Sequence, residues 1–231
     1  MPGSPEFPQN VESDATDRAN GRPTRVRSER IQSAILAAAM VEFADRGLHG
    51  GRSARIAQRA NVTRATVYKH FDSKEAILEK LSATCAQRVR STLAQAIDRE
   101  QAPAAVLRAV ALCLYRCSIL ADSKAISRIE VAESERLPAV ARRSRERRSL
   151  ALEPLSEYFE KLSMNGQLTL EDPPRAAMQF AHLVTSALEP LFGDELTAEQ
   201  GPETWINSAV DVFLRGALCP GAAGHDDMSS R

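Results

Sequence analysis

The feature that most constrains this chain is the stretch at residues 53–71, SARIAQRANVTRATVYKHF. Ile56, Ala60, Val62 and Val67 are apolar at the spacing that lets two short helices press together, and Ala57 is small where they approach most closely. Asn61 falls where the chain has to turn sharply with positive φ, a conformation Asn tolerates better than other side-chain-bearing residues. Thr63 is then placed to cap the helix that follows. Two short helices joined by a three-residue turn make a helix-turn-helix, whose second helix enters the major groove of duplex DNA.

The rest of the chain supplies helices to hold that unit. Residues 1–27 are rich in Pro, Gly, Asn, Ser and Asp without an apolar period, and read as a disordered tail. In the first helix, 28–46, Ile31, Ile35, Ala39 and Phe43 repeat every four residues, with Ser28 as a plausible cap and Gly47 as its stop. Short helices follow at 53–60 and 64–71, and Ser73 caps a long fourth that runs to about 98. A fifth, 103–120, is apolar almost all round, which suits the middle of a bundle. A sixth starts at an Asp122/Ser123 cap and reaches Glu135, and a seventh covers 138–164 with a break at Pro154. The eighth (174–191) and ninth (203–217) each carry an apolar stripe. No sustained apolar/polar alternation argues for strands. The expectation is an all-α chain of about nine helices: a three-helix DNA-binding domain at 28–74, a larger helical domain at 75–218, and a flexible end from 219.

Charge divides in the same way. Residues 22–74 hold eleven Lys/Arg against four Asp/Glu, a net of +7, whereas 75–231 hold 18 against 22 and 1–21 hold one against four. A basic module on a mildly acidic body suits phosphate binding, although a solvated surface would read alike on charge alone. No run of about 18 apolar residues is long enough to span a bilayer. The N-terminus lacks the charged-then-apolar layout of a signal peptide, so a cytoplasmic location and no membrane partner are expected. Cys113 and Cys117 share a helix face and read as packed thiols, since no Cys-x-x-Cys or His pair completes a metal site. No phosphate loop, Gly-x-Ser-x-Gly or paired-carboxylate arrangement suggests an enzyme, and no cofactor is implied.

In these residues the chain resembles the tetracycline-repressor (TetR/AcrR) family. Phe43, Gly47, Ile56-Ala57, Thr66-Val67-Tyr68-Lys69-His70-Phe71 and Lys74 fall in register with that family's N-terminal pattern. The C-terminal part is similar to multidrug-efflux repressors of the AcrR type through Ser134-Glu135-Arg136-Leu137-Pro138, Asn165-Gly166-Gln167-Leu168 and Asp172-Pro173. The resemblance departs at Arg52, where a Thr or Ser cap is usual and Gly51 or Ser53 has to serve, and at Asn61, which replaces the commoner Gly.

The resemblance implies a repressor that reads a partly palindromic operator and releases it on binding a small, largely apolar ligand. It implies DNA contacts from Ser53, Arg64, Ala65, Thr66, Tyr68, Lys69, His70 and Lys74, with Arg64 able to grip guanine bidentately. It also implies a homodimer through the eighth and ninth helices. Their stripes are Ala176, Phe180, Leu183, Ala187 and Leu191 in one, and Ile206, Val210, Phe213 and Ala217 in the other. Packing within one chain would explain these stripes nearly as well. The fifth helix would border the ligand cavity, with Leu112, Cys113 and Tyr115 as candidates. A regulator of the same fold without an inducer is the alternative. The run Arg142, Arg143, Arg145, Arg147 and Arg148 reads better as a solvated helix face than as a second nucleic-acid patch. His70 reads better as one of the groove-and-phosphate contacts the resemblance implies than as a metal ligand or base.

Overall fold

The computed structural model describes residues 25–98, 100–185 and 201–217, and among them every regular element is helical. Ten helices follow in order: α1 (Arg25–Gly50), α2 (Ser53–Arg59), α3 (Arg64–His70), α4 (Lys74–Ala96), α5 (Pro103–Ile119), α6 (Ala121–Glu133), α7 (Pro138–Ala151), α8 (Glu153–Met164), α9 (Pro173–Thr185) and α10 (Gly201–Ala217). The expected seventh helix is two, because the chain leaves helical geometry at Leu152, just ahead of Pro154. Gly47 breaks α1 as expected, but with φ +67° and ψ 177° it adopts an extended positive-φ conformation open to glycine and not the left-handed helical one, and Ser28 lies inside the helix instead of capping it. Ser73 caps α4 by accepting the Ala76 N–H at 3.1 Å. Asp122 does not cap α6, which starts one residue earlier.

Two apolar cores organise these helices. The first joins Ile35, Ala39 and Phe43 of α1, Ile56 of α2, Val67 of α3 and Ile77, Leu78 and Leu81 of α4. Ile126 and Ile129 of α6 and Val140 of α7 complete it, so packing does not part at residue 74. The second core gathers Leu93 of α4 with α5, α8, α9 and α10. At its centre Phe159, Phe180 and Phe213 form a ring cluster with centroids 5.0 to 6.1 Å apart. α4 thus runs through both cores, and a two-pronged Arg88–Asp122 pair at 2.9 and 3.0 Å ties it to α6.

That ring cluster corrects the expected dimer stripes. Ala176, Phe180, Ile206, Val210 and Ala217 are buried in the chain's own core, and Phe213 stacks on Phe159 within it. Ala187 and Leu191 lie outside the described residues. The face that α10 turns outward holds Trp205, Ser208, Val212 and Gly216, with Val212 59% exposed. Trp205 is anchored at its ring nitrogen, which donates to Val184 O of α9 at 3.1 Å.

No single described helix is long and apolar enough to cross a membrane. The bent pair α5–α6 passes on length and composition together, and much of α5 is core: Val106, Leu107, Val110, Ala111 and Leu114 are at most 5% exposed.

Candidate nucleic-acid interface and inner cavity

The turn between α2 and α3 is built as its sequence dictates. Ala60 N–H donates to Ile56 O at 2.9 Å and Val62 N–H to Ala57 O at 3.0 Å, closing α2. Asn61 then takes φ +52°, the only positive φ at a non-glycine position among the described residues. Thr63, extended at φ −78° and ψ 156°, accepts the Thr66 N–H at 3.1 Å and so caps α3. Ile56, Ala57, Val67 and Phe71 are buried beneath it.

With a turn of about 100° per residue, Arg64, Ala65, Tyr68 and Lys69 share one side of α3, opposite Val67. All four are exposed. Thr66 and His70 lie at the margin, half-buried, and the Thr66 hydroxyl is paired with that of Thr63 at 2.9 Å. The Arg64 guanidinium stands over the Tyr68 ring, 5.4 Å from its centroid, and reaches the Tyr68 hydroxyl at 3.5 Å. Tyr68 in turn donates to Ser53 Oγ at 3.2 Å, which joins α3 to the start of α2. The Ser53 hydrogen bond, followed by that of Arg64, holds the Tyr68 phenol below its ordinary pKa. Ser53, Arg64 and Tyr68 therefore form one connected row, with the Arg64 guanidinium held against the Tyr68 ring by a cation–π contact.

Lys74 has a different place from the one expected of a phosphate contact. Its ammonium donates to Leu48 O at 2.7 Å, His49 O at 3.1 Å and Gly51 O at 3.1 Å, using all three of its N–H groups. The charge closes the C-terminal end of α1, where unpaired carbonyls make a favourable site for a cation.

Glu42 was not singled out in the sequence, yet it holds this module together. Its carboxylate is fully buried and accepts the Arg52 N–H at 3.2 Å, at the start of α2. Arg52 provides no side-chain cap, so a carboxylate from α1 does that work. Arg46, Arg55 and Arg59 stand 3.8 to 3.9 Å from the same carboxylate. Part of the basic excess is therefore grouped around Glu42, apart from the exposed Arg64 and Lys69 of α3. Gly51, beside this junction, has no room for a side chain, since a Cβ there would meet the Phe43 ring at 2.8 and 2.9 Å.

A cavity of about 290 Å³ lies among α4, α5, α6, α7 and α9. From α5 it is lined by Leu114, Cys117 and Ser118. Leu112, Cys113 and Tyr115 do not line it, and instead pack partly buried on the second core. The reason is helical phase: α5 is apolar on nearly every side, so composition does not reveal which side faces the space. The lining is largely apolar, and Glu130 and Arg147 enter it beside Ser82 and Ser144.

Comparison with known proteins agrees with this geometry. The family profile described as bacterial regulatory proteins, tetR family, matches residues 35–81. A second, described as AefR-like transcriptional repressor, C-terminal domain, matches residues 105–216. Among curated proteins, none matches the sequence significantly. Among solved structures, the flavonoid-responsive regulator FrrA is similar at 27% identity and a TM-score of 0.69, covering 84% of this chain and 100% of that one. A TetR-family transcriptional regulator of Mesorhizobium loti has 22% identity and a TM-score of 0.69, with 84% and 99% covered. Salmonella enterica GusR has 20% identity and a TM-score of 0.67, with 85% and 100% covered. Together the two profiles span the helix-turn-helix and most of the helical body, and the chain belongs to the TetR family of DNA-binding transcription regulators.

Proposed function

We propose that this regulator is a cytoplasmic repressor that grips a partly palindromic operator as a homodimer and lets go when a small molecule fills the inner cavity. The observation that supports the reading best is the position of α6. Its Ile126 belongs both to the cavity wall and to the first core, beneath the helix-turn-helix. Ile129 extends that contact, so a ligand that displaces α6 also displaces the packing of α1. FrrA is named as flavonoid-responsive, and its similarity supports a ligand-responsive reading here.

On the DNA side, Arg64, Ala65, Tyr68 and Lys69 meet the major groove, with Thr66, His70 and Ser53 at its phosphate margin. Arg64 is the specific reader, positioned by Tyr68 for two parallel bonds to one base. The exposed outer face of α10, with Trp205 and Val212, extended by α9, is the surface that meets the second copy.

Release requires only that the ligand prefer the conformation in which the two α3 helices no longer match the operator, typically by about 1–3 kcal/mol of coupling. By linkage, operator DNA weakens ligand binding by the same factor. The experiment is a thermal-shift screen of small molecules, followed by ligand affinity with and without saturating operator. Affinity reduced about 5- to 150-fold by operator is expected. Equal affinities, or no stabilising compound, would favour a regulator of the same fold without an inducer.

A further inference from the structure

We infer that the inner cavity selects an organic anion, whose acidic group pairs with Arg147 and Arg148 while an apolar body lies against α4, α5 and α9. The inference rests on the ligand-responsive reading above and specifies the chemistry of the ligand.

It begins from the arginine run of α7, which helical phase divides. Arg142 and Arg143 are exposed and already have carboxylates, Glu146 at 4.0 Å and Glu79 at 2.5 Å. Arg147 lies one turn on from Arg143 but nearer the buried side of α7 marked by Val140, Ser144 and Ala151, and it enters the cavity lining with its side chain only 17% exposed. Its Nε and Nη2 groups are buried without a hydrogen-bond acceptor. The one carboxylate near it, Glu130, stands 4.0 Å away, at the limit of an ion pair. That carboxylate is occupied elsewhere: one oxygen accepts from Ser82 and the other from Ser144 at 2.5 Å. Arg148 also lines the cavity, and among the described residues no carboxylate lies within ion-pair distance of it.

The charged side chains facing this space are therefore two guanidiniums and one carboxylate, each of whose oxygens already accepts a serine hydroxyl. A buried guanidinium lacking acceptors is a costly arrangement that an incoming carboxylate, sulfonate or phenolate relieves. The remaining wall supplies the counterpart for an apolar body, through Val89, Leu114, Ile126 and Met178. Exposed Arg148 and His182 mark the rim, where α7 and α9 meet solvent.

The test uses two fluorescent probes of nearly equal shape: anilinonaphthalene sulfonate, an anion, and N-phenylnaphthylamine, its uncharged parent. Titration of the full chain is expected to give saturable binding of one probe per protomer, with the sulfonate at least about tenfold tighter, as expected for charge-assisted bonds. Arg147→Met, which keeps the apolar stem, should abolish most of that preference and leave the uncharged probe unchanged. Arg148→Met, at the exposed rim, should reduce it by about threefold and serves as the readout if the inner variant does not fold. Equal affinities of the two probes would overturn the anion inference while leaving the ligand site standing. A preference surviving in the double variant would overturn it as well, by placing the sulfonate elsewhere. Saturable binding of neither probe would overturn the inference together with the ligand-responsive reading.

Discussion

Replacing Lys74 by Met separates two roles that a lysine at this position can have. The structure gives its ammonium three carbonyl acceptors, at 2.7, 3.1 and 3.1 Å. A net hydrogen bond to a charged donor is worth about 1.5–3 kcal/mol when well shielded. Lys74 is half-buried, so water replaces part of what is lost, and a total of about 2–3 kcal/mol is the reasonable expectation. For a chain of this length each kcal/mol moves Tm by about 2–4 °C, so the variant should melt roughly 5–10 °C lower. A phosphate contact would behave otherwise. Its loss would flatten the slope of log affinity against log salt by about 0.9 per protomer, with little change in Tm. Differential scanning calorimetry and DNA titration over a range of salt measure both quantities on the same protein. The three carbonyl bonds predict a lowered Tm and an unchanged slope. An unchanged Tm with a flattened slope would refute the clamp and restore the phosphate role.

Three further outcomes follow from the same geometry. Glu42→Gln keeps an acceptor for the Arg52 N–H but removes the charge shared by three half-exposed arginines, and should cost about 1–2 kcal/mol in denaturant unfolding; no loss would show that the carboxylate charge is idle. Val212→Glu, on the outer face of α10, should give a folded monomer with weakened operator binding, whereas Phe213→Glu should unfold the chain by charging the ring cluster; sedimentation with circular dichroism distinguishes them, and a dimeric Val212→Glu would move the interface elsewhere. Arg88 holds the Asp122 carboxyl below the usual carboxylate range. That stabilisation is complete above the unfolded value of about 3.9 and is lost as pH falls through the lower folded value. Asp122→Asn should therefore flatten the acid limb of the stability curve, and an unaltered limb would exclude the Arg88 pair as its source.

What was legible in the sequence was local. Asn61, Thr63 and the apolar positions of 53–71 declare the helix-turn-helix because turn, cap and packing all lie within twenty residues. Pro154 announced a break, although the helix count differed because the chain leaves helical geometry fully at Leu152. Periodicity identified Phe180 and Phe213 as apolar-stripe residues, but a stripe does not say whether its partner is the same chain or a second one. In α5 even the phase is hidden, since apolar residues surround the helix, and the sequence points to Leu112, Cys113 and Tyr115 where Leu114, Cys117 and Ser118 face the cavity. Lys74 reaches carbonyls some 25 positions earlier, a contact that no local pattern encodes. Glu42 did leave a signal: it falls on the buried stripe with Ile35, Ala38 and Ala39, and a carboxylate on such a stripe implies cationic company.

The central claim, that α3 reads operator DNA through Arg64, is tested most directly by selecting bound sites from random duplex DNA with the wild type and with Arg64→Ala. The wild type is expected to select a partly palindromic site whose half-sites lie about one helical turn, or a multiple, apart. Arg64→Ala should lose about 1–3 kcal/mol and relax discrimination at one symmetry-related base pair per half-site. A selected site without two-fold symmetry, or an Arg64→Ala protein that keeps the same sequence and affinity, would contradict it.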